Sequence, residues 1–398
     1  MTGPVYKPYA SNKKALAFAN QSVSGTGIAL TTADLLDCAS ITWRPNAITS
    51  QDPRYTGTTK RRGPIMLGVT YDITFEWTVH GPGNAVPAAD AWVPGRVLKQ
   101  LGFTENRVTT AVGPEGFTGG TTSQVTLGAT AVGTTDLYKG LVINLATVGA
   151  APLGFGMIRS YTSGKVATLA RLRATAATGN YTIPQQLAYT YSGADPVAGA
   201  SITIWEDGDR LNFIDMVPSG DQTVQLFTSS RDGTEYCRIA CSFTGILYSQ
   251  VAEATPAVDI SIAVPPFRNG QDDFANIQMG GASATLTLSK EVAYPPNANQ
   301  ETGNDPPMPT GDTRTLSIER NRVSLATVDF KALSDAQGYH AYQALWGLGA
   351  GNYMGFMVAN GRIAPRSVNS GNAFDTTSGE LWIDDVDKCV SLVFPIGY

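Results

Sequence analysis

The clearest pattern along the chain is a period-two alternation at residues 69–80, "VTYDITFEWTVH". Tyr71, Ile73, Phe75, Trp77 and Val79 fall on one side, and Asp72, Thr74, Glu76 and Thr78 on the other. That spacing predicts a strand buried on one face and wetted on the other. Upstream, "SITWRP" at 40–45 predicts a second strand, followed by a polar loop with Pro45, Pro53, Gly57, Gly63 and Pro64. Downstream, "AADAWVPGRVLKQLGF" predicts a short helix: Pro94 near its first turn, Val97, Leu98 and Leu101 on one side, Gly102 as its stop. "YCRIACSFTG" at 236–245 closes the series as a strand in which Cys237, Ile239, Cys241 and Phe243 share a face.

The same order recurs. "TVDFKA" at 327–332 matches "TFEWTV" at 74–79, pairing Thr74 with Thr327, Phe75 with Val328, Glu76 with Asp329 and Trp77 with Phe330. Before it come the strand-like "ATLTLSKEV" at 284–292 and the loop "PPNANQETGNDPPMPTG". After it, "LSDAQGYHAYQALWGLG" predicts a second helix with Ser334 as N-cap, Tyr342, Leu345 and Trp346 on one face, and Gly347 at its end. A closing strand follows in "KCVSLVFPIG". Strand, long loop, strand, helix, strand therefore occurs twice.

The stretch between helix and closing strand is far longer in the first copy than in the second, which places an insertion there. Its text, with "SQVTLGAT", "DLYKGLVINLAT" and a Ser163-Gly164 hairpin turn in "GMIRSYTSGKVATLAR", predicts a small β unit. The expected organisation is a first domain at 1–113 and 207–255, an inserted β domain at 114–206, and a second domain at 256–398. The fold class is mainly β, two sandwich or barrel domains with short helices plus the insertion.

Composition agrees with many short strands joined by turns: 42 Gly and 23 Pro in 398 residues, and only 15% charged residues. No run of eighteen apolar residues and no apolar leader segment occurs, so neither a membrane span nor a signal peptide is expected, and synthesis in the cytosol is. Net charge is −5, which argues against a protein built to grip polyanions. With two histidines and no paired CxxC, no metal site is expected, and no cofactor. The acids of "WEDGDR" at 205–210 and "DDVD" at 384–387 read as polar turns rather than paired catalytic carboxylates or a calcium loop. "GPEGFTGG" does not open a helix after a strand and is no phosphate cradle. His80 at a strand end and His340 in the predicted second helix offer no triad. No catalytic residue is assigned, and the chain is not read as an enzyme.

"ITWRPNAITSQDPRYTGTTKRRGPIMLGVTYDITFEWTVHG" followed by "AWVPGRVLKQLGF" resembles the major tail tube protein of long-tailed, siphovirus-like bacteriophages. The resemblance covers residues 38–103 well and the second half more loosely. It implies tube-type β domains that self-associate into rings, with ring strands joined in one β-barrel and stacked rings forming the conduit for DNA ejection from the virion tail. It implies that tape-measure protein and genomic DNA occupy the lumen without specific binding, and that no membrane is entered. Many members carry a single tube domain, whereas two and an insertion are expected here. A trimer that supplies six domains is then favoured, with a hexamer as the alternative.

On that basis the wet face, Asp72, Thr74, Glu76 and Thr78 with Thr327 and Asp329 from the second copy, is expected to line the lumen. Acids there would keep DNA sliding, where Lys or Arg would hold it. Arg54 and the triplet Lys60, Arg61 and Arg62 sit in the loop that, by resemblance, reaches the adjoining ring. A solvated loop tip and a direct DNA contact are the other readings of that triplet. Two other classes stay open: a head-decoration or minor tail protein, and a carbohydrate-binding module using Tyr181, Tyr189 and Tyr191.

Overall fold

The computed structural model describes residues 13–50, 63–146, 155–170, 179–193, 198–230, 233–235, 237–257, 269–274, 277–278, 281–297, 305–321, 329–347, 353–365, 367–370, 375–384 and 388–396. In chain order the main elements are β1 (Lys14–Asn20), β2 (Cys38–Ser50), β3 (Ile65–Thr78), α1 (Val93–Gln100) and β4 (Phe103–Val108). After a unit of short strands come β5 (Gln186–Tyr191), β6 (Ala200–Glu206), β7 (Asp209–Pro218), β8 (Gly220–Ser230) and β9 (Arg238–Ala252). The remainder comprises β10 (Gly281–Ala293), β11 (Met308–Asn321), α2 (Phe330–Asp335), β12 (His340–Gly347), β13 (Tyr353–Ile363), β14 (Ser367–Ser370), β15 (Asp375–Ile383) and β16 (Val390–Pro395). The protein is mainly β, as its alternation predicts, and includes a half-barrel.

Two quartets of antiparallel strands build the central sheet. In the first, β2, β3, β9 and β8 lie side by side. In the second, β10, β11, β15 and β14 repeat that order. The two hairpins agree residue by residue. Cys38 opposite Trp77 and Ser40 opposite Glu76, with a bulge between them, match Gly281 opposite Arg320 and Ser283 opposite Glu319. At the other end Ile48 opposite Gly68 and Thr49 opposite Met66, again bulged, match Glu291 opposite Gly311 and Val292 opposite Pro309. Bulges fix register and local twist, so two shared bulges at shared positions mark one duplicated unit. Pairing of β8 with β10, Thr223 opposite Thr287 and Gln225 opposite Thr285, joins the quartets into a continuous sheet.

Behind this sheet lies the core. Ile73, Phe75, Trp77, Phe243, Leu286, Leu288 and Leu316 are buried with Phe18 of β1 and with Leu187, Tyr189 and Tyr191 of β5. The outer layer runs β4, β5, β16, β13, β12, and β1, β6 and β7 continue from β9 along its margin. Its strands β5, β13 and β16 are buried on both faces. While Tyr189, Phe356 and Leu392 face the central core, Ala188, Met357 and Val393 face a second core shared with the unit of short strands. The molecule therefore has three layers: quartets, outer sheet, small unit.

Among the described residues that small unit is a seven-stranded sheet whose strands lie between Val112 and Ile183. Strands β5 and β6 fall within the 114–206 span expected of an insertion, yet they pair in the large sheet. Local text cannot tell which sheet an apolar run joins. Docking is also polar: Gln186 accepts from the Val142 amide at 2.9 Å and donates to its carbonyl at 3.1 Å, and Arg159 donates to Asn360 at 2.6 Å.

Two expectations for the second copy need correction. Asp329 does not lie on a strand equivalent to Glu76; it is the N-cap of α2, and its carboxylate accepts from the Ala332 amide at 3.0 Å. Ser334 lies inside that helix rather than capping one. Residues 340–347 form β12, not a helix, paired with β13 on one side. Tyr342 and Ala344 are buried, as are Ala341 and Gln343, which alternate with them, and a run buried on both faces carries no periodicity that separates strand from helix.

Candidate functional site

The exposed side of the quartets is the candidate site. Asp72, Thr74, Glu76 and Thr78 stand on it, because Ile73, Phe75 and Trp77 take the core side of β3. Neighbouring strands extend the surface in register. Thr74 lies between Thr42 of β2 and Ser242 of β9, and its hydroxyl is hydrogen-bonded to that of Thr42. In the second quartet the same rows are filled by Thr285, Thr287 and Ser289 of β10 and by Thr313, Thr315, Ser317 and Glu319 of β11. Each of these alternates with a buried neighbour such as Leu286 or Leu316. Most of the wall is hydroxyl.

Its charges are arranged unevenly. Arg44 reaches Asp72 at 3.1 Å, and Asn46 donates to the same carboxylate at 2.5 Å. Arg238 reaches Glu76 at 3.1 Å. Both cations of this face in the described strands thus lie against acids. Asp221 of β8, Glu291 of β10, Glu319 of β11 and Glu380 of β15 form no ion pair among the described residues, although the Ser289 hydroxyl donates to Asp221. The surface is hydrated, hydroxyl-rich and mildly acidic, with no free guanidinium or ammonium in the described strands to replace the counterions of a polyphosphate.

Of the residues singled out in the sequence, Asp72, Thr74, Glu76 and Thr78 are brought together here. Asp329 is not, for the reason given above. Thr327, Arg54, Lys60, Arg61 and Arg62 lie outside the described residues. Missed were the contributions of β8, β10 and β11, although "ATLTLS" alternates as plainly as β3 does. The position 243 residues beyond Trp77 holds Arg320, buried where the first copy has its aromatic ring, and this hid the true equivalence. At the loop-proximal end of both hairpins stand exposed apolar side chains: Met66 and Leu67 in one, Met308 in the other.

Other candidates resolve structurally. Tyr181, Tyr189 and Tyr191 are fully buried and present no platform for a sugar. In "WEDGDR", Asp207 and Gly208 have positive φ at the β6–β7 turn, and Glu206 is held by Lys14 at 2.8 Å and by the Trp43 indole at 3.0 Å. Burial pushes the Cys237 and Cys241 thiols well up, so both are inert core groups. Among the described residues no cluster of three or more His, Cys, Asp or Glu side chains is placed to hold a metal, and no helix is long and apolar enough to cross a membrane. No family model matches the chain, and no curated protein matches it in sequence.

Proposed function

We propose that this protein is a structural subunit of a bacteriophage tail tube, forming stacked rings whose inner β-barrel is the conduit for DNA ejection. The observation that carries this reading is the duplicated quartet: two copies of one four-stranded unit, side by side in one antiparallel sheet, core-facing on one side and hydroxyl-lined on the other. Three chains then supply six quartets around a ring. With strands about 4.8 Å apart and tilted about 40°, such a barrel measures about 48 Å across its backbone walls. That is wider than a barrel whose side chains fill its interior, and it leaves room for tape-measure protein or a duplex.

The wetted face becomes the lumen in this arrangement, and its mild acidity lets nucleic acid pass without being held. Arg54, Lys60, Arg61 and Arg62, together with Met66, Leu67 and Met308 at the same end of the hairpins, form the contact between successive rings. Negative-stain images of the concentrated protein test the reading. Hollow rings or rods are expected; a monodisperse monomer at all concentrations would overturn it. Reversing Lys60, Arg61 and Arg62 to Glu is expected to separate stacked rings at lower salt than the unaltered protein.

A further inference from the structure

We infer that β14 of one copy pairs antiparallel with β2 of the next in a fixed register: Ser367 opposite Arg44 and Asn369 opposite Thr42. This inference rests on the tube reading and adds the joint that closes the ring. The chain itself holds the template, because the β8–β10 junction is where one quartet meets the next. β10 is the second-copy equivalent of β2, with Thr285 in the place of Thr42 and Thr287 in that of Arg44, as the shared hairpin registers require. β14 is the equivalent of β8. Ser242 opposite Thr74 matches Glu380 opposite Ser317, so Ala240 matches Ser378 and Arg238 matches Thr376. Thr223 opposite Ala240 and Gln225 opposite Arg238 then match Ser367 opposite Ser378 and Asn369 opposite Thr376. Transferring Thr223–Thr287 and Gln225–Thr285 onto the two ends of the sheet yields the stated pairs.

Both ends are available. Among the described residues β2 pairs with β3 and with no second strand, and β14 pairs with β15 alone. β2 is thirteen residues long and β14 four; apart from a 3.5 Å contact of Lys14 Nζ with the Ile41 carbonyl, no partner strand covers these edges among the described residues, and a strand edge left so invites another strand. The occupant is a second copy, since the two edges are the complementary halves of a junction the chain already makes. Contact between two different edges is heterologous and, repeated by a closing rotation, produces a ring rather than a pair.

Paired cysteines at Thr42 and Asn369, and separately at Arg44 and Ser367, test the register in the full-length assembled protein. Oxidation is expected to give a covalent ladder that ends at three chains. T42C/S367C, a diagonal pair whose separation of about 7–8 Å exceeds disulfide reach, and the single-cysteine variants are expected not to link. In the unaltered protein, amide exchange at 41–44 and 367–370 is expected to slow by about tenfold or more on assembly. Rings in which the stated pairs fail to link and these amides stay unprotected would overturn the register and leave the tube reading standing. Linkage in the diagonal pair would do the same. Absence of rings under every condition would overturn the tube reading itself.

Discussion

Arg238 holds Glu76 at 3.1 Å across the ladder between β9 and β3. The pair sits on the hydroxyl-lined face, both partners partly exposed, so its value lies in cancelling charge rather than in stability. Arg44 and Asp72 do the same one strand over. What remains of the charge on this face belongs to Asp221, Glu291, Glu319 and Glu380, and these four acids, not the two first visible in β3, give it its net charge.

Converting three of them tests whether this face lines a channel, as the proposed tube requires. D221K/E319K/E380K tubes are expected to retain DNA, with a binding constant that falls more steeply with salt, by up to about 0.9 in log–log slope for each lysine that contacts phosphate. Fluorescence anisotropy with labelled DNA over a salt series measures this. Equal, weak retention by the triple variant and the unaltered protein would show that the face lies away from the channel.

Gly95 in α1 gives a test of packing behind the same sheet. A Cβ at this position would stand 1.8 Å from the Tyr189 hydroxyl oxygen, and Tyr189 is fully buried against Trp92. Gly to Ala in a helix normally gains up to about 1 kcal/mol, while overfilling a tight core costs about 1–3 kcal/mol. The clash wins. G95A is expected to lower stability in a chemical melt, and G95A/Y189F to recover part of the loss, because the hydroxyl is the nearest obstacle.

Strand order and the first helix were legible in the sequence because they rest on local chemistry. Alternation sets β3, and Gly102, at φ +96, ends α1 where the pattern stops. The second copy was legible in order and not in register. "TVDFKA" imitates "TFEWTV" in letters, but its aspartate finds a helix amide to cap, whereas "TLSIER" carries the strand with Arg320 in place of an aromatic. Membership of β5 in the outer sheet was invisible for another reason: its partners, β4 and β16, lie some eighty and two hundred residues away, and no local pattern records them.

The reassignment of Asp329 can be checked directly. As an N-cap, D329A is expected to cost about 1 kcal/mol, and D329N or D329S much less, since both still accept from the Ala332 amide. Urea unfolding of the three variants measures the order. A lumen role would instead leave stability unchanged and give D329N the same DNA behaviour as D329A.

Glu115, in the small unit, makes the fold sensitive to acid at one identifiable place. Its carboxylate accepts from the Thr130 hydroxyl at 2.6 Å, the Thr130 amide at 3.0 Å, the Ala129 amide at 2.7 Å and the Tyr181 hydroxyl at 3.0 Å. Those donors, Thr130 foremost, pull its pKa from 4.5 to about 2. A carboxylate depressed in the folded state contributes stability that is complete above its unfolded value and fades as the pH falls toward its folded one. E115Q removes that titration. Protection of the Ala129 and Thr130 amides should therefore be greater in the unaltered protein than in E115Q at neutral pH, and the gap should close between pH 4.5 and about 2. Hydrogen exchange across that range reads it. A gap independent of pH would mean that shape, not charge, makes Glu115 the clamp between its strand and the 128–130 turn.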